Sequence, residues 1–128
     1  MAIVYDPANA VSRTDAESIK KIVDSGIKIQ GGGKLDAILV SVSELGKLSR
    51  AKIAFLTPGL SAHYTAINRA TSAASIITIT TDIECVRVAK CIIGVSTQPN
   101  LTIYYSKEAA DNAKIEFSQA FSMLVKQP

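Results

Sequence analysis

Apolar and polar positions along the chain switch between a two-residue and a three-to-four-residue period, and each switch marks an element. Ala2 to Tyr5 is a short run of β-branched and aromatic type, stopped by the turn-forming cluster Asp6-Pro7-Ala8-Asn9. It predicts a first strand and its loop. Thr14-Asp15-Ala16-Glu17 has the form of a capping box, behind which Ile19, Ile22 and Val23 recur at helical spacing while Lys20, Lys21 and Asp24 face away. A helix to about Ser25 follows, with Gly26 as its C-cap. Ile27 and Ile29 alternate with Lys28 and Gln30 as in a half-exposed strand near a sheet edge, before Gly31-Gly32-Gly33 frees the backbone. Leu35 to Val42 holds the continuous run Ala37-Ile38-Leu39-Val40, the pattern of a central strand covered on both faces. Ser43 is placed to cap a short helix from Glu44 to about Ser49. Ile53 to Leu56 reads as another buried strand, Ser61 as the cap of a helix through about Ala73, and Ile76 to Thr80 as a further strand.

This rhythm predicts an α/β fold: a mostly parallel open sheet with helices on both faces. The C-terminal third changes character. Cys91 to Val95 and Leu101 to Tyr105 flank Ser96-Thr97-Gln98-Pro99-Asn100, a loop of the right length for an antiparallel β-hairpin. From Lys107 to Val125 the apolar positions Ala113, Phe117, Ala120, Phe121 and Leu124 fall at helical steps, with Ser106 as N-cap, which predicts a closing helix.

Length and composition narrow the function. A chain of 128 residues fits a single domain, and 48% hydrophobic against 20% charged residues gives it a core. A net charge of +3, spread along the chain, and 5% aromatic residues with no Trp speak against nucleic acid as a partner. No apolar run reaches the roughly 18 to 20 residues that span a bilayer. The start Met1-Ala2-Ile3-Val4-Tyr5 goes straight into a strand, so either the protein is cytosolic or a leader has been replaced by Met1.

Candidate chemistry is sparse. One His, His63, has no G-x-S-x-G elbow near it and reads as a partly exposed helix-surface residue, so no catalytic residue is assigned. Two Cys, one His and no paired carboxylates at ligand spacing assign no metal, and no cofactor motif is present. Gly31-Gly32-Gly33-Lys34 lacks the remainder of a phosphate loop and precedes a strand. The loops after the parallel strands should instead gather at the carboxyl edge of the sheet, where open sheets bind ligands. That edge collects Asn9, Ser12, Arg13, Gly59, Ser61, Thr81 and Asp82 as candidate binding residues, with helix N-termini suited to a small anionic ligand. Ordinary polar turns that cap helices are the competing reading. An exposed apolar face would in addition permit a homodimer. Cys85 and Cys91, six apart, are wrongly spaced for C-x-x-C motifs but allow a small disulfide loop; two buried thiols of a cytosolic protein are the alternative.

Ile76-Ile77-Thr78-Ile79-Thr80-Thr81-Asp82, the two cysteines, the hairpin and the final segment with Phe117, Ala120, Phe121 and Leu124 resemble the YfiR-like family of small periplasmic regulatory proteins. Thr80-Thr81-Asp82 stands where many relatives read Ser-Asp, and an additional cysteine pair of some relatives is missing. The resemblance covers most of the chain, as one YfiR-like α/β domain over 1–128. It implies a periplasmic, non-enzymatic regulator that holds an inner-membrane signalling protein, a diguanylate cyclase or sensor kinase, inactive and so restrains cyclic di-GMP synthesis. It also implies that Cys85 and Cys91 form the family's disulfide, acting as a structural bridge. A second reading, from Val4-Tyr5-Asp6-Pro7 and the polar loop and helix after it, is a single-lobe ligand-binding domain related to periplasmic ABC-type substrate-binding proteins.

Overall fold

The computed structural model describes residues 1–25, 36–97, 99–117 and 125–126. Six strands form one sheet: β1 (Ala2–Tyr5), β2 (Ile38–Ser41), β3 (Ile53–Leu56), β4 (Ile77–Thr80), β5 (Ile93–Ser96) and β6 (Thr102–Tyr105), in the order β2-β1-β3-β4-β5-β6. The first five are parallel, and β6 returns antiparallel to β5 as the expected hairpin, Ile93 opposite Tyr105 and Ser96 opposite Thr102. Helix α1 (Ala10–Asp24) covers one face, packing Ala16 and Val23 on Ile3 and Ala37. Helices α2 (Tyr64–Ala73) and α3 (Ile83–Arg87) lie on the other, in a core with Val4, Val40, Leu56, Ile67, Ile76 and Val86. The α/β fold with helices on both faces is as the apolar pattern predicts.

Several local expectations are corrected. The segment through Val42 does not form a central strand: β2 lies outside β1, and its Ile38 is 45% exposed while Val40 is fully buried. A continuous apolar run reports apolar contacts on both sides of a strand, and here the 3-10 helix Leu45–Arg50 and α1 supply them without a second neighbouring strand among the described residues. The first helix starts at Ala10, not behind Thr14, because Asn9 accepts the Ser12 N–H at 3.0 Å and caps it; its buried stripe is Ser12, Ala16 and Val23, and Ile22 faces solvent, 61% exposed. Ser43 caps nothing, its hydroxyl instead meeting that of Ser41 at 2.9 Å, and Ser61 opens a one-turn 3-10 helix, Ser61–His63, without capping α2.

Helix α3 was not expected from the sequence; Asp82 caps it by accepting the Glu84 N–H. Helix α4 (Lys107–Asn112) has Ser106 as its predicted cap but is much shorter than the apolar stripe implies. Lys114 turns the backbone at φ 58°, and Ile115 to Phe117 are not helical. Lys126 instead extends alongside β6, exchanging backbone hydrogen bonds with Ile103 and Tyr105. The predicted strand Ile27 to Gln30, Gly26, Gly31 to Gly33, and the stripe positions Ala120, Phe121 and Leu124 lie outside the described residues.

Candidate functional site

The strand order 2-1-3-4-5 is a doubly wound order whose direction of winding reverses between β1 and β3, and the carboxyl ends of those strands frame the place where such sheets bind. Here the β1–α1 loop, Asp6 to Asn9, meets the loop after β3, Thr57 to Leu60. Gly59 has φ 86°, and a methyl group there would come within 2.6 Å of the Asn9 side-chain nitrogen, so glycine lets the loops touch. Arg13, exposed on α1, donates to the Pro7 carbonyl at 3.2 Å.

Beneath this contact runs a chain of hydroxyls whose direction follows from counting protons. Thr57 gives its proton to the Val4 carbonyl at 3.0 Å, so it accepts from Ser12 at 2.6 Å. Ser12 in turn accepts the Asp6 N–H at 2.9 Å. Both hydroxyl residues are fully buried. The next strand end repeats the device: the Asp82 N–H donates to Thr80, whose hydroxyl donates to the Leu56 carbonyl. At each of these two strand ends a threonine hydroxyl thus donates to a carbonyl at the end of the neighbouring strand in the sheet.

Asp82 has a second duty. One carboxylate oxygen caps α3, and the other accepts the hydroxyl of Tyr64 at the start of α2. Burial first, and then the hydrogen bond to Asp82 and its charge, push the Tyr64 phenol well above the usual tyrosine range, so it stays a donor. Asp6 accepts the Ala8 N–H with one oxygen, while the other lies 3.5 Å from His63 Nε2. His63 is partly exposed as expected, yet it points at the junction.

All seven predicted binding residues therefore lie on or just behind the carboxyl edge, in two roles. Arg13, Gly59, Ser61 and Thr81 are exposed there, whereas Asn9, Ser12 and Asp82 hold the loops in place. Sequence reasoning missed Asp6, Thr57, His63, Tyr64 and Thr80 as partners in the arrangement. A hydroxyl directly at each strand end, as in Leu56-Thr57 and Ile79-Thr80, was the available signal. Among the described residues no group of three or more His, Cys, Asp or Glu could hold a metal.

Cys85 on α3 and Cys91 before β5 are joined by a disulfide, both fully buried, with Cα atoms 5.2 Å apart. The reversal between them needs Ala89 at φ 60°, and the N–H groups of Lys90 and Cys91 converge on the Cys85 carbonyl. No described helix is long and apolar enough to cross a membrane. Compared with family models and with curated proteins, the chain matches none.

Proposed function

We propose that the protein is a regulatory binding module of the YfiR-like kind, working in the periplasm by contacting the outward part of an inner-membrane diguanylate cyclase or sensor kinase. The observation that carries this reading is the carboxyl edge, whose loops are cross-linked by hydrogen bonds. Its buried hydroxyls and the Tyr64 phenol spend their protons on tying loops together, which suits a preformed contact surface better than an activated nucleophile. The exposed rim combines Val11, 61% exposed, and Pro7 and Ala8 with Arg13, Ser61 and Thr81, the mixed apolar and polar make-up of a protein contact. A buried disulfide fits an oxidising compartment, which supports the periplasm.

The test is reconstitution of the purified protein with membranes carrying a candidate cyclase, reading cyclic di-GMP synthesis. Wild type should hold synthesis down, and Arg13→Glu and Thr81→Arg, both at exposed positions, should release it. Equal restraint by all three proteins would move the contact away from this edge. Restraint by none, together with saturable binding of a small molecule that Arg13→Glu weakens, would favour the single-lobe ligand-binding reading.

A further inference from the structure

The outer edge of β2 presents a second surface, distinct from the loop edge. Ile38 and Val42 donate their N–H groups to Met1 and Tyr5, so the alternation of a parallel ladder turns the N–H and C=O groups of Leu39, and the N–H of Ser41, away from β1. Among the described residues no strand pairs with them, and the Ser41 carbonyl is already taken by the Glu44 N–H at 2.8 Å. A cleft opens on each face of this edge. One, of about 440 Å³, runs between Ile38 and the 3-10 helix residues Gly46, Lys47 and Arg50; the other, of about 480 Å³, lies between Leu39 and α1 beside Ser18 and Lys21. Side chains of an added strand, pointing alternately up and down, would enter one cleft and then the other.

The geometry points to β2 as a docking edge for an extended segment of a partner protein, added parallel to β2 and carrying apolar residues with an acidic one on the Ile38 face. The direction follows from the open groups. A parallel neighbour uses the Leu39 N–H, the Leu39 C=O and then the Ser41 N–H, whereas an antiparallel one also calls on the Ser41 carbonyl. A second copy meeting this edge about a two-fold axis perpendicular to the sheet runs antiparallel, which disfavours self-pairing. The chemistry of the side chains follows from Ile38, a large apolar residue 45% exposed, and from Arg50, which makes no ion pair among the described residues while its neighbour Lys47 is paired with Glu44 at 2.7 Å. Main-chain pairing would supply affinity and the two clefts selectivity.

This inference does not depend on which protein the loop edge contacts, and its test uses none. Random twelve-residue peptides displayed and selected on the immobilised full chain should yield sequences of alternating apolar residues with an acidic residue. Their binding should weaken at least tenfold in Ile38→Asp and also in Arg50→Glu, variants of exposed side chains whose fold is checked by circular dichroism. In hydrogen exchange the Leu39 amide should exchange quickly in the free protein and slow at least tenfold with peptide bound. Slow exchange of Leu39 in the free monomer would mean that the chain closes its own edge, and protection that rises with protein concentration would mean a second copy does so. Either result overturns the proposal, as does a selection whose peptides bind both variants undiminished or a selection that enriches nothing.

Discussion

At Gly94 a single methyl group is excluded. A Cβ there would lie 2.7 Å from Val86 Cγ2 and 2.9 Å from Ile83 Cδ1, both on α3, so the helix sits against β5 because the strand has no side chain at that point. Gly94→Ala should therefore destabilise the fold by about 1 to 3 kcal/mol, the usual cost of overpacking, seen as a lowered midpoint in thermal unfolding. An unchanged midpoint would show that α3 can shift freely. Ser12 illustrates the opposite kind of constraint. Ser12→Ala leaves the half-buried Asp6 N–H and the buried Thr57 hydroxyl without their partner, at a cost of about 1 to 3 kcal/mol, whereas Ser61→Ala at an exposed position should cost almost nothing. Denaturant titration of the pair separates a residue that builds the edge from one that is displayed on it.

Between elements, the link from Tyr64 on α2 to Asp82 at the head of α3 has a pH signature. The phenol's ionisation is raised in the folded state, so its contribution is fully present below the unfolded value near 10 and is lost as pH rises beyond it. Alkaline unfolding of wild type should accordingly steepen above about pH 10, and Tyr64→Phe should remove part of that dependence. A remainder is expected, because burial and the nearby Asp111 raise Tyr105 in the same direction. Identical alkaline profiles for wild type and variant would contradict a buried, donating phenol. Helix and strand placement was legible where a period of apolar residues was bounded by a breaker: Ile53 to Leu56 before Thr57-Pro58-Gly59 is β3 to the residue. It failed where local chemistry offered two answers. Asn9 belongs equally to a turn and to a helix cap, and the capping-box letters at Thr14 and Glu17 sit inside a helix already started. Helix α3, five residues long, has too few turns to show a period, and only its cap at Asp82 marks it. The carboxyl edge could be read because the loop residues follow strands directly. Its internal wiring could not, since Ser12 and Thr57 are 45 residues apart and only the fold brings their hydroxyls together.

Across the molecule, parallel order places the carboxyl ends of β1 to β5 on one side, and the antiparallel β6 closes the far end of the sheet, where Lys126 adds one further bridge to Tyr104. The Cys85–Cys91 bond leaves α3 at its middle residue, one turn from Asp82, whose carbonyl accepts the Cys85 N–H at 3.1 Å. The side-chain bonds that hold the loop edge and the sulfur bridge are nevertheless made by different atoms, so a double variant can separate a structural bridge from a device that controls binding. Closing so short a loop restricts the unfolded chain by about 2 to 3 kcal/mol on the loop-entropy estimate. The paired variant Cys85→Ala with Cys91→Ala should then unfold at lower denaturant concentration with its secondary structure intact. The loop edge should survive, because Asp82 is held by Tyr64 and Thr80 through bonds that involve neither sulfur. Under the proposed function, any restraint of a cyclase by the bridge-free protein, measured at a temperature where it remains folded, should match that of wild type. Loss of that restraint in a folded variant would instead make the sulfur pair part of the binding mechanism, and an unchanged unfolding midpoint would remove even its structural role.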